Sequence, residues 1–418
     1  MMVDPLLHQG SRKRGNDAAA VAPARQGTAV RRDRRGPTRA FAAMAARWAV
    51  VATALLVAAC ARPPAPVTFH ADGYPEKLSE WNVVYVDGKT LALNDRVVPF
   101  DLNTPLFSDY AHKLRTVWMP EGTIADYQTH EALDFPVGTI ISKTFFYPTA
   151  EGKDAVARTG DTSHDHVGEG LDLHNVRMIE TRLMVRREQG WVAIPYAWNE
   201  AQTEATLART GADVPLRLVA ADGSSEDFVY EVPDQNQCAG CHASNNTTRQ
   251  IVPLGPKARH LNKDYDYAGG RENQLAHLQK VGYLRGVPAT GVPRNADWRD
   301  AAHASLDGRA RAYLDINCGH CHNDKGPADT SGLWLDVGDH PPRHLGLCKP
   351  TVAAGQGTGD HRFGIVPGNP DESILVYRMD SDRPGVRMPE IGRDVVHREG
   401  VELIRDWIAA MEGNCDET

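Results

Sequence analysis

Two five-residue patterns stand out in this 418-residue chain: Cys238-Ala239-Gly240-Cys241-His242 and Cys318-Gly319-His320-Cys321-His322. Two thiols three residues apart lie on one face of a helical turn, where they can add to the two vinyl groups of a haem. A histidine directly after the second thiol then lies under the iron as its proximal ligand. This is the attachment pattern of c-type haem, and the chain carries it twice. Paired cysteines also occur at zinc sites and in thioredoxin-like redox centres, but a histidine in the same place after both pairs favours haem.

Arg387-Met388-Pro389-Glu390 offers a sixth ligand for the second haem, because a thioether is a soft neutral donor and Pro389 stiffens the loop that carries it. Met379 competes for that role. Pro327, shortly after His322, is a candidate carbonyl acceptor for the His322 Nδ1–H, a contact that would fix the ring. For the first haem the candidates are His260, His277 and Met119, with a five-coordinate iron, open at its sixth position, as the alternative. His164 and His166 form a short His-Asp-His pair that reads as a solvated loop rather than a metal site.

The remaining cysteines sort by compartment. Trp48 to Ala59 is an uncharged apolar run of export-signal length, too short to span a membrane, and it ends at Cys60. Val57-Ala58-Ala59-Cys60 reads as a lipidation site, and the Pro-rich residues behind it as a tether; ordinary cleavage near Ala59 or Ala61 is the plainer alternative. Residues 1–43 fit no folded pattern, and Met44 would begin a signal of ordinary shape. Cys348 and Cys415 are left in an oxidising space, where a disulfide is the simplest assignment and two free thiols the alternative. Ala61 after the lipidation cysteine leans toward the outer membrane.

Residues 1–59 carry ten Lys/Arg and three Asp, an excess of seven positive charges, so removing them turns the formal −8 into about −15. Such a surface disfavours nucleic acid and suits redox partners with basic docking patches; plain solubility explains it equally well.

The elements that must position these groups divide the chain: an N-terminal extension and signal (1–59), a lipidated tether (60–74), a β-rich domain (75–235), a first haem-binding region (236–299) and a second haem domain (300–418). Short strands at 83–100, a hairpin 177–198 and a second hairpin 216–232 predict a sandwich or barrel. Asn199–Arg209 reads as a short helix, and 150–172 as a loop. Helices are expected over 271–284, 306–317 and 398–411, the last clearly amphipathic. The fold expected is therefore α+β and multidomain, with an all-β sandwich or barrel-like domain followed by mainly α cytochrome c-type haem domains.

Residues 300–415 resemble class I cytochrome c, in which one helix enters the haem motif and a last helix closes the domain. Over nearly all of 75–413 the chain resembles exported di-haem c-type cytochromes of Gram-negative bacteria. That likeness rests on Pro105-Leu106-Phe107-Ser108-Asp109-Tyr110, Phe135-Pro136-Val137-Gly138-Thr139, Glu180-Thr181-Arg182-Leu183 with Tyr196-Ala197-Trp198-Asn199, Asn236-Gln237 before the first motif and Asn317 before the second. It implies two covalent haems on Cys238, Cys241, His242 and on Cys318, Cys321, His322, and it implies no substrate. Electron transfer between periplasmic or membrane partners is the leading expectation. The alternatives are a di-haem enzyme with an open first haem acting on peroxide or another small substrate, and a β-domain that binds a substrate whose electrons the haems remove.

Overall fold

The computed structural model describes residues 64–352 and 355–415. The extension, the signal and Cys60 lie outside these residues.

The scaffold is a six-stranded antiparallel sheet. Its order is Ala205–Leu207, Gly190–Trp198, Val176–Arg187, Ile140–Pro148, His112–Trp118 and Val98–Phe100. The long strands alternate, so one set of side chains faces each side. Leu114, Ile140, Phe146, Leu183, Val185 and Ile194 pack on one face with Leu78, Trp81, Val84, Leu91 and Leu171. Part of that cover is a small sheet of Val84–Asp87, Thr90–Leu93, Gly170–Asp172 and His166–Val167. Trp81 brings its indole N–H into this core, where it donates to the Tyr196 hydroxyl at 2.7 Å.

The opposite face is shared among three neighbours. Val117, Ile141 and Met184, which stand opposite one another across three strands, meet Ala258, Leu261, Leu275, Leu278 and Ile316. Phe145, Tyr147 and Ile179 meet Leu216, Leu218, Tyr230 and Val232 of the sheet formed by Ala155–Arg158, Ala212–Ala220 and Ser225–Val232. Between those two contacts the sheet borders a cavity.

The C-terminal core is made by the Leu306–Leu314 and Arg398–Ala409 helices, with Ala310, Tyr313 and Leu314 against Val401, Ile404, Trp407 and Ile408. Gly400 sits at their crossing: a Cβ there would fall 2.3 Å from the Tyr313 hydroxyl, so a larger residue would force the helices apart.

Several expectations need correcting. Strand makes up 28 % of the described residues and helix 20 %, with seven α-helices among them, so a mainly α haem domain does not form. The helices after Pro233 are 4–12 residues long and are joined by loops. Asn199–Arg209 is not a helix: the Asn199 side chain accepts from Thr203 N–H to close a turn, and Ala205–Leu207 then pairs with Tyr196–Trp198. The 150–172 loop contains three short strands. Of 271–284, only Gln274–Lys280 is helical, because Gly270–Asn273 is drawn into a hairpin with Asp264–Tyr267.

Candidate functional site

The first motif forms an eight-residue helix, Gln235–His242. Asp234 starts it: its carboxylate accepts Gln237 N–H at 2.8 Å, and the Gln237 side chain accepts Asp234 N–H at 2.8 Å. His242 closes the helix. Its Nδ1 is 2.8 Å from the Val252 carbonyl, which can only accept, so Nδ1 carries the proton and Nε2 keeps its lone pair. Burial, and then the charge of Lys143, push the His242 pKa down to about 3, so the ring is neutral.

The second motif leaves the Leu306–Leu314 helix through a π turn, Asp315–Gly319. Ser305 caps the helix by accepting Gly308 N–H at 3.0 Å. Asn317 holds the turn from two sides, donating to the Tyr313 carbonyl at 3.0 Å and accepting Phe107 N–H at 2.8 Å. Gly319 leaves no room for a side chain, since a Cβ would lie 2.6 Å from Asp336 Cα. His322 Nδ1 lies 3.1 Å from Ser331 Oγ, and that hydroxyl spends its own proton on the Ala328 carbonyl at 2.6 Å. Ser331 therefore accepts the His322 Nδ1–H. This corrects the expectation for Pro327, which borders the cavity but is not the partner of the ring. Burial, with the neighbouring His320, lowers His322 to about 4.

The two motifs meet. Cys321 Sγ lies 3.9 Å from the Gly240 carbonyl oxygen, and Asn246 N–H donates to the Lys325 carbonyl at 2.6 Å. One cavity of about 690 Å³ is bordered by Cys238, Cys241, His242, Cys318, Cys321, His322 and Met388. Met388 sits on a loop that Arg393 clamps, donating to the carbonyls of Met388, Met379 and Ser381 at 2.9, 3.1 and 2.8 Å. Met379 also reaches the cavity, but it belongs to the C-terminal core with Tyr313 and Leu314, which leaves Met388 the freer thioether.

The β-rich half fastens this loop. Asp109 accepts Asp394 N–H and Val395 N–H at 2.7 and 2.9 Å, and the Tyr110 hydroxyl donates to Glu399 at 2.7 Å. Burial raises the Asp109 pKa to about 6 against those two amide bonds. Phe107 stacks on His397 with ring centres 4.1 Å apart.

None of the three side chains considered for the first haem's sixth position borders the cavity. His260 is buried beside Asp315 and Asn295, His277 stacks on Tyr267 and bonds Glu272 at 2.7 Å, and Met119 lies in the core under Tyr283. His166 stands in the short His166–Val167 strand and bonds the Gly170 carbonyl at 3.1 Å.

The residues present fit haem. Each motif presents two free thiols and an imidazole whose Nδ1 is already tied, so that Nε2 is available for iron. Burial raises all four thiols, Cys318 and Cys321 to about 12, the reverse of the lowered pKa that marks a reactive pair. Among the described residues no three His, Cys, Asp or Glu side chains converge as a zinc site needs. Cys348 and Cys415 form a disulfide, with Cα atoms 5.2 Å apart. Sequence reasoning missed Ser331 and the Val252 carbonyl as orienting groups, nine and ten residues after their histidines, and neither carries a local signal.

Comparison with protein-family models, curated proteins and solved structures finds no match. No helix among the described residues is long and apolar enough to cross a membrane.

Proposed function

We propose that this chain is an exported di-haem c-type cytochrome that passes electrons between periplasmic or membrane-bound redox partners. The observation that carries the reading is the single cavity bordered by both attachment motifs, which approach where the Cys321 thiol faces the Gly240 carbonyl. When bound, each haem would supply a one-electron iron couple. Cys238 and Cys241 would hold one covalently, with His242 as its proximal ligand. Cys318, Cys321 and His322 would hold the other, with Met388 as its distal thioether. Val252 and Ser331 orient the two imidazoles, and Arg393 keeps the Met388 loop in place. A lipid on Cys60 would anchor the protein to the outer membrane, within reach of partners with basic patches that complement the acidic chain.

A second reading has one observation in its favour: His260, His277 and Met119 all lie away from the cavity. An open first position would make the protein a di-haem enzyme acting on peroxide or another small substrate. EPR and CO-difference spectra of the holoprotein, beside Met388→Ala, decide between the two. The carrier is low-spin and silent to CO until Met388 is removed. A high-spin, CO-binding signal already present in the wild type, and unchanged in the variant, would establish the enzyme instead.

A further inference from the structure

The cavity wall supplied by the sheet carries an unusual row. Arg115, Lys143 and Arg182 stand directly opposite one another on three adjacent strands, Arg115 beside Lys143 and Lys143 beside Arg182. All three border the cavity, as does Lys113, two residues before Arg115 on the same strand. Like charges facing each other across strands oppose folding, and burial makes the repulsion worse. Two of the three are neutralised. Arg115 pairs with Asp101 at 2.7 Å, and Arg182 grips Glu180 through two bonds of 2.8 and 2.5 Å. Glu180 is shared, because it also accepts the Tyr230 hydroxyl at 2.6 Å. Asp101 is likewise shared with Lys263.

Lys143 is left over. It sits between two guanidinium groups, has no acid or hydrogen-bond partner among the described residues, and finds only the Phe145 ring, 4.9 Å from its Nζ. The same ring already lies under Arg182 at 4.4 Å and Lys113 at 5.6 Å. One ring shared by three cations does little to offset an ammonium held between two guanidinium groups in a partly buried wall. A wall built this way is suited to an anion in the cavity.

We propose that the Arg115–Lys143–Arg182 row is a carboxylate seat, and that it takes the propionates of the haem attached at Cys238 and Cys241. This rests on the two-haem reading above. Carboxylates are the anions that such a haem brings with it, and the row lies on the side of the first motif. The Gln235–His242 helix packs on the same sheet through the Gly190–Trp198 strand, and Lys143 and Arg182 both act on Cys238, Cys241 and His242, whereas in the second motif Lys143 reaches only His320. On this reading the sheet does more than shield the site: it orients the first haem, and the positive Lys143 beside the propionates favours the reduced iron.

The test compares holoprotein of the wild type, Lys143→Met and Lys143→Arg, each grown with a haem precursor that places ¹³C in the propionate carboxylates. Lys143→Met removes charge at nearly constant shape, so it should not threaten folding. Redox-difference infrared spectra should show the labelled carboxylate band shifted in Lys143→Met and restored in Lys143→Arg. A spectroelectrochemical titration should show a lower potential for one haem only in the methionine variant. Unchanged labelled bands would overturn the proposal. So would formate perturbing the Soret band of the wild type but not of Lys143→Met, since the row would then serve a free anion. Haem counting by pyridine haemochrome keeps the two levels apart. Fewer than two haems in the wild type defeats the di-haem reading itself, whereas two haems with unmoved bands defeats only the carboxylate seat.

Discussion

The thiol of Cys321 rests 3.9 Å from the carbonyl oxygen of Gly240, so the two attachment motifs, about 80 residues apart in the chain, are in contact. Gly240 also leaves room for Ile391, whose Cδ1 would lie 2.7 Å from a Cβ at this position.

Attachment points this close should place two chromophores within range of strong coupling. Circular dichroism of the oxidised holoprotein should therefore show a bisignate Soret band. Cys238→Ala/Cys241→Ala should remove one haem by mass and collapse the band to a single sign. A bisignate band persisting in a protein shown to hold one haem would rule the coupling out.

Ser331 is the acceptor that keeps His322 in place, and losing it should weaken the ring as a donor. Ser331→Ala should raise the potential of the second haem, since a less basic imidazole stabilises the oxidised iron less well. Losing the hydroxyl's three partly buried hydrogen bonds, to His322, the Ala328 carbonyl and Leu333 N–H, should cost about 1–3 kcal/mol in urea unfolding. Ser331→Thr, which keeps a hydroxyl, should restore both. A potential unmoved in Ser331→Ala would show that another group orients the ring.

Much of this arrangement was legible in the sequence, and the reasons differ by element. Gly190 and Asp222-Gly223 mark hairpin turns locally, and the strands beside them follow by alternation. The Arg398–Ala409 helix declared itself by period alone, burying Val401, Leu403, Ile404, Trp407 and Ile408. The segment 199–209 went the other way: Asn199 is as good a turn closer as a helix cap, and only the free edge of the Gly190–Trp198 strand decides between them. The mainly α expectation failed for a related reason. Segments that line a cavity bury their side chains against that space rather than against a helix partner, so loops such as 323–341 need no helical period. At the site, the four motif cysteines, His242, His322 and Met388 were legible because each has a chemical signature, and all of them border one cavity. Ser331, Val252 and the cation row have none, since an orienting carbonyl or a cross-strand neighbour is a product of the fold.

Cys348 and Cys415 close a loop of 67 residues and tie the chain just past the last helix to the strand-like bridges at Leu347 and Pro350. In the chain-entropy model a loop of this length is worth about 4 kcal/mol. Cys348→Ala/Cys415→Ala should lose a large part of that in urea unfolding while haem content stays unchanged. A variant as stable as the wild type would mean that the unfolded chain is already compact in this region.

The π turn that delivers the second motif begins at Asp315, which is buried and bonded twice by Arg259 at 2.9 Å each. Asn295 and Val337 N–H also donate to it. Burial alone would raise its pKa, but the Arg259 bonds and charge override that and hold it well below the usual carboxylate range. The sign follows directly. A carboxylate whose folded pKa is depressed stabilises the protein above its unfolded value near 3.9, and that stability is lost as pH falls toward the folded pKa. Acid unfolding should therefore steepen below about pH 4 in the wild type and lose this component in Asp315→Asn. The asparagine variant should itself be destabilised by about 3–5 kcal/mol, because it strands the Arg259 guanidinium in the interior. Arg259→Met/Asp315→Leu, which removes both charges, should recover much of that loss. A double variant no more stable than Asp315→Asn would mean that the remaining partners of Asp315, rather than the ion pair, hold the turn.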